Sequence, residues 1–338
     1  MRASMEPVLE VRNLSVGIKR GHGYLQAVNG IDITINAGEI VALAGESGCG
    51  KTLTALSIMG LLPPAAEITG GTIFFNQNNL PLPEPPAPPG FERESRGSSL
   101  GLRGREIAMI YQEPGQSLNP LMRIGPQVAE ALELHGTDKQ TANRAALDIL
   151  TRLAFAQPEQ IFRAWPHQLS GGMCQRVMIA IAAICRPRLI IADEPTSSLD
   201  MENRRHILSL LKQINRDFGT AILFISHDLS LTQDFCSRFM VMYAGYIIEE
   251  GPCRELFSAP LHPNTAALTG AIPRRENRGH PLANIPGNAP PIEDRQYGCP
   301  FAPRCPKAQE RCAAELPPWT DMGNGKRVRC FFAGGGNG

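Results

Sequence analysis

Four residues at one spacing are the first to suggest chemistry. Gly45, Gly50, Lys51 and Thr52 match G-x-x-x-x-G-K-[ST] within "GESGCGKT". Glycines at those places let the backbone curl until its N–H groups face a phosphate. A helix starting at the loop adds the positive end of its dipole. A lysine there reaches β- and γ-phosphates, and a threonine hydroxyl can sit on Mg²⁺. The expected cradle runs through Gly45, Glu46, Ser47, Gly48, Cys49, Gly50, Lys51, Thr52 and Leu53. The Cys49 side chain is incidental to that backbone chemistry, but beside a lysine and a helix start its thiol is expected to be reactive.

Asp193 and Glu194 follow the apolar run from Leu189 to Ala192. A carboxylate at the end of a buried strand can hold Mg²⁺, directly or through water. Its neighbour can polarise an attacking water. Read alone, the pair could equally be two solvated acids. Beside a phosphate loop the hydrolytic reading gains weight, because hydrolysis needs these groups. Gln112 ends "AMIYQ" and His227 ends the strand in "FISHD". The plain reading of each is a polar residue at a strand end. The functional reading is that α/β folds place ligands at the carboxyl ends of parallel strands.

A second cluster lies far along the chain. Cys299, Cys305 and Cys312 fall in "CPFAPRCPKAQERC", and Cys330 follows in "KRVRCFF". The amino end, "MRASMEPVLEVRNLSV", does not read as a signal peptide, because charge and strand alternation begin at once. The longest apolar run, "VMIAIAAIC", stops at Arg186, short of a membrane span. A cytoplasmic chain is expected, and stable disulfides are rare there. The four cysteines then read as metal ligands, with unrelated free thiols as the plain alternative. A four-thiolate Zn²⁺ is one candidate. Zinc sites usually carry close C-x-x-C pairs, and the four form none, which favours an iron–sulfur cluster.

These groups need elements to position them. "VLEVRNLSV" and "GIDITI" alternate as half-buried strands do. "EIVALAG", "GREIAMIYQEP", "LIIADEP" and "GTAILFISHD" are apolar runs of the kind covered on both faces. "LTALSIMGLL" reads as a helix after the phosphate loop. Residues 125–165 have helical spacing and form a helical insertion in an α/β core. The stretch 80–99 is rich in proline, charge and serine and reads as an exposed loop; 273–298 reads as a linker, and the closing "AGGGNG" as a frayed end. Net charge is only +1, so no strong pull on nucleic acid or anionic lipid is expected.

"LSGGMCQRVMIA", taken with "GESGCGKT", Gln112, "DEP", "SSLD" and His227 in that order, resembles the nucleotide-binding subunit of ABC transporters. The resemblance spans nearly the whole chain. It implies an ABC-type P-loop ATPase fold: a RecA-like α/β core, an N-terminal antiparallel β-subdomain and a helical subdomain at about 115–170. It implies ATP on the loop backbone and Lys51, and a Mg²⁺ shell of Thr52, Gln112 and Asp193. Glu194 would be the general base and His227 the residue that senses the γ-phosphate. Ser170, Gly171 and Gly172 would contact ATP on an opposite subunit, and Asp200 would couple the two sites. Tyr24 would stack on adenine.

A closer resemblance, to the dipeptide/oligopeptide importer ATPases, rests on "GREIAMIYQEP", "SLNP", "PHQLSGGMCQRVMIAIA", "VMYAG", "HPNT" and the cysteine-rich tail. "QRVMIA" fits the first of the two paired ATPases these importers use. The chain departs from the common pattern at "SSLDMENRRHI" and in the 80–99 insertion. The resemblance implies an ATPase domain over 1–258 and an importer-type tail over 259–338, where some relatives carry a [4Fe–4S] cluster. It implies a second homologous ATPase, two transmembrane permeases and an extracytoplasmic solute-binding protein, with the chain on the cytoplasmic face of a bacterial inner membrane and no nucleic acid partner. Nickel, opine and glutathione importers share the pattern. A soluble ABC ATPase is the competing class; such chains usually carry two cassettes or a long coiled coil, and neither is present.

Overall fold

The computed structural model describes residues 7–21, 23–80, 101–197, 199–272, 286–294 and 297–333. The proline-rich stretch beyond residue 80, Ser198, the linker before residue 286 and the end after residue 333 lie outside them.

The strands in chain order are β1 (Pro7–Arg20), β2 (Gly23–Asn36), β3 (Ile40–Ala44), β4 (Ala66–Phe75), β5 (Asn78–Asn79), β6 (Ile107–Ile110), β7 (Leu189–Asp193), β8 (Ala221–Ser226), β9 (Arg238–Tyr243), β10 (Tyr246–Pro252), β11 (Thr320–Gly323) and β12 (Lys326–Val328). The helices are α1 (Lys51–Met59), α2 (Pro114–Ser117), α3 (Ile124–Glu133), α4 (Lys139–Arg152), α5 (Pro158–Arg163), α6 (Gly171–Ala183), α7 (Met201–Phe218), α8 (Cys253–Ser258), α9 (Pro263–Gly270) and α10 (Glu310–Ala314). Among the described residues, no helix is long and apolar enough to cross a membrane.

The chain forms two compact units that interleave along the sequence rather than dividing at one point. One draws on residues 1–10, 34–39 and 73–224. Here β6 and β7 pair in parallel, with Ile107 opposite Leu189 and Ile110 opposite Ala192, and β8 flanks β7. Every residue of β7 and β8 is buried. That explains their unbroken apolar runs, since a parallel strand is covered on both faces. Between β6 and β7 the chain is helical, from α2 through α6. α7 buries Ile207, Leu210, Leu211 and Ile214, the stripe that a 3.6-residue period places on one face. It ends on Gly219 at φ 67°, a left-handed cap that glycine adopts without strain.

The other unit draws on residues 11–33, 40–72 and 225–338. It holds an antiparallel sheet in the order β2-β1-β4. It also holds β3, buried throughout, in parallel with β9, so that Val41 faces Arg238 and Ala44 faces Val241. β10 pairs antiparallel with β9, and β12 with β10. The cysteine-rich tail thus adds a β-hairpin to this sheet: Glu249 faces Val328 and Glu250 faces Arg327. The tail also buries Phe301 at 1% exposure and Val328 at 0%. Backbone pairing and apolar burial thus anchor the tail to this unit.

Candidate nucleotide site

β3 ends at Ala44 and α1 begins at Lys51, so the loop between them is a strand-to-helix turn. Two glycines in it have no substitute. A Cβ on Gly45 would stand 2.0 Å from the Met242 carbonyl oxygen of β9. Gly50 sits at φ 114°, and its Cβ would meet the Met242 side chain at 2.8 Å. The loop is tied to the turn after β9, where the Gly245 N–H donates to the Cys49 carbonyl at 2.9 Å. Cys49 is only 4% exposed, and its Sγ lies 3.7 Å from the Lys51 ammonium.

The Lys51 ammonium is 6% exposed and folds back on its own loop. It donates to the Gly45 carbonyl at 2.9 Å and the Glu46 carbonyl at 3.0 Å. A buried ammonium needs such partners, and these two shape the loop into a ring around the cation. Thr52 and Ser47 are exposed, and Leu53 is partly covered. Tyr24, on β2, is 44% exposed. Its hydroxyl donates to Glu67 at 2.7 Å, which raises the phenol and lowers the carboxyl. His227 follows β8 and is exposed.

In the other unit, Gln112 follows β6 and Glu194 follows β7, and the parallel pairing sets the two strand ends side by side. The Gln112 amide donates to Glu194 Oε2 at 3.2 Å. Glu194 has φ 47°, a left-handed conformation that costs a non-glycine residue on the order of 1 kcal/mol or more. Asp193, the last residue of β7, is 4% exposed. Ser170 caps α6, its hydroxyl accepting the Met173 N–H at 3.3 Å, with Gly171 exposed and Gly172 buried behind it. Asp200 caps α7 by accepting the Asn203 N–H at 2.9 Å, and that bond holds its carboxyl below the usual range. The Asn203 side chain donates to Asp200 at 2.7 Å and lies so close to Gly172 that a Cβ there would meet its Oδ1 at 2.9 Å. Asn203 thus joins the "SGG" turn to Asp200. Its place at the third position of a capped helix is the only signal the sequence carries for it.

The four tail cysteines line one small cavity, walled by Phe301, Phe331, Phe332 and His262. Burial pushes the Cys299 thiol up to about 11, with the other three thiols adding to the shift. Burial also raises Cys305 and Cys330. Among the described residues, no three His, Cys, Asp or Glu side chains are grouped so as to hold one metal ion.

Comparison with known proteins gives the family and the fold. The ABC transporter family profile matches residues 28–197, and the profile of the oligopeptide/dipeptide transporter C-terminal region matches 248–312. The chain is 41% identical over 330 residues to the oligopeptide transport ATP-binding protein OppD of Haemophilus influenzae, covering 97% of this chain and 98% of that one. It is 40% identical to the dipeptide transport ATP-binding protein DppD of Bacillus subtilis, covering 97% and 95%. A dimeric ATP-binding cassette in a post-hydrolysis state, bound to ADP and Pi, superposes with a TM-score of 0.61 at 25% identity, over 73% of this chain and 99% of that one. Family and fold together define an ATP-binding cassette with the activity of an ABC-type ATPase. The chain belongs to the ABC transporter family, as an ATP-binding subunit of its oligopeptide/dipeptide branch.

Proposed function

We propose that this subunit hydrolyses ATP to drive import of di- or oligopeptides, pairing head to tail with a second homologous ATPase. The observation that carries this reading is the union in one chain of a phosphate cradle and the oligopeptide/dipeptide transporter C-terminal region. ATP clamps the two ATPases together and hydrolysis releases them, which flips two permeases between outward and inward states. An extracytoplasmic binding protein delivers the solute, and the chain works at the cytoplasmic face of the inner membrane. Nickel, opine and glutathione are the other solutes that fit. The division into an ATPase domain to about residue 258 and a tail beyond it belongs to the same reading.

Residue roles follow from the groups present. The backbone of the loop from Gly45 to Leu53 and the Lys51 ammonium bind phosphates, with Tyr24 stacking on the base. The oxygens of Thr52, Gln112 and Asp193 are the hard donors that Mg²⁺ takes. When bound, Mg²⁺ neutralises charge on the phosphates. Glu194 takes the proton of the attacking water, Gln112 orients its carboxylate, and His227 senses the γ-phosphate. Ser170, Gly171 and Gly172 present a helix start to the partner's ATP, and Asp200 couples the two sites. The test is co-expression with permeases of the oligopeptide/dipeptide importer class. Co-purification with integral membrane subunits, and ATPase activity stimulated by peptide-loaded binding protein, are expected. A chain that purifies alone and is indifferent to both would favour the soluble ABC ATPase.

The tail cysteines are read as the ligands of a [4Fe–4S] cluster, with four-thiolate Zn²⁺ as the rival. What supports this is that Cys299, Cys305, Cys312 and Cys330 share one cavity. Such a centre is held by thiolates, so binding would release protons. Protein purified without oxygen should be brown, with about four irons per chain. Each Cys→Ser change should bleach it and loosen the tail to proteases. Colourless anaerobic protein holding one zinc would leave only the rival.

A further inference from the structure

A side chain of the cysteine-rich tail, Arg304, reaches the phosphate loop. Arg304 lies in the short turn Ala302–Arg304, between Cys299 and Cys305. Its guanidinium is 8% exposed and its partner, the Glu46 carboxylate, 22%. One guanidinium nitrogen, Nη1, donates to both Glu46 oxygens, at 3.0 and 2.9 Å, and to the Tyr243 hydroxyl at 3.1 Å. The other two donate to the Pro286 and Gly287 carbonyls, at 2.9 and 3.1 Å. Arg304 is therefore locked by its own segment and aimed at the loop. Glu46 is gripped twice, its carboxylate by Arg304 and its carbonyl by Lys51 at 3.0 Å.

The chemistry of this contact is plain. A carboxylate carried by a loop that must accept a polyanion opposes binding by like-charge repulsion. In a half-buried setting that repulsion is poorly screened. A guanidinium nitrogen shared between both carboxylate oxygens offsets the charge and fixes the side chain.

We propose that Arg304 is a positioning residue for the phosphate loop: by pairing with Glu46 it holds the loop ready for a nucleoside triphosphate, so that affinity depends on the cysteine-bounded turn. This rests on the reading of residues 45–53 as the phosphate site. Arg304 contacts the loop through Glu46, so removing Glu46's charge should make the Arg304 charge less needed.

The test is titration of the full-length chain with a fluorescent ATP analogue. Arg304→Gln keeps a hydrogen-bonding side chain but loses the charge. It should weaken binding by at least about tenfold, the scale for a shielded charge left unpaired. Glu46→Gln combined with Arg304→Gln should bind clearly tighter than Arg304→Gln alone, because the unpaired carboxylate is gone. Arg304→Lys should recover part of the loss. Unchanged affinity in Arg304→Gln, or equal weakness in the single and double variants, would overturn the proposal. Thermal unfolding of each variant separates misfolding from lost affinity, and the double variant decides if Arg304→Gln alone is too unstable to titrate. Lys51→Ala serves as the control. If it too binds normally, the phosphate-loop reading has failed. If it alone loses binding, only the role of Arg304 has failed.

Discussion

Glu194→Gln is expected to keep ATP bound while turnover falls by about 10²–10⁴-fold, the usual worth of a positioned general base. The amide has the size of the carboxylate, so the unusual backbone at φ 47° has nothing new to accommodate. Its carbonyl oxygen can still accept the Gln112 amide, now at 3.2 Å from Oε2. What it cannot do is take a proton from water. Mixed with the second ATPase proposed above, the variant should form an ATP-dependent complex that persists on a sizing column. Near-normal hydrolysis by that mixture would remove Glu194 from the chemistry. A slow variant whose ATP affinity also collapsed would mean that the side chain mainly supports the fold at the end of β7.

Lys51→Ala is expected to fail earlier, at binding. The ammonium, 6% exposed, is the cation around which the loop closes, through the Gly45 and Glu46 carbonyls at 2.9 and 3.0 Å. Truncation removes two charge-assisted hydrogen bonds and leaves both carbonyls to find other partners. It also removes the charge that would meet the β- and γ-phosphates. Affinity for ATP should drop by about a hundredfold or more, since charged hydrogen bonds contribute about 1.5–3 kcal/mol each. The nucleotide-free protein should also melt earlier, because the loop loses its internal staple. Isothermal titration and thermal unfolding measure the two effects separately. ATP affinity within about threefold of the parent would show that the lysine serves loop structure only.

The groups that chemistry requires are legible in the sequence because they are local. The phosphate loop is a strand, a turn and a helix start, and its glycines answer to backbone conformation within a few residues. Helix caps are equally local: Ser170 and Asp200 each accept a backbone N–H three residues on. Buried parallel strands betray themselves by unbroken apolar runs, as in β3, β7 and β8. Motif order then carries the family, and the family carries the roles that geometry alone does not assign.

Long-range pairing is not legible there, because nothing in a linear pattern says which distant groups meet. Gln112 and Glu194 lie 82 positions apart and come together only through the β6–β7 register. Glu46 has nothing in its neighbourhood to mark it, yet Arg304, 258 positions away, sits on its carboxylate. The place of Cys49 near Lys51 is plain in the sequence, but its burial is not. The tail's cysteines stand out by type and clustering, but nothing local shows that β12 joins β10 or that Phe301 is buried. Residue types and local spacing determined what this protein can do to a phosphate. Only the tertiary structure decided which side chains hold the loop that does it, because hydrogen-bond partners far apart in sequence are chosen by how strands and turns pack.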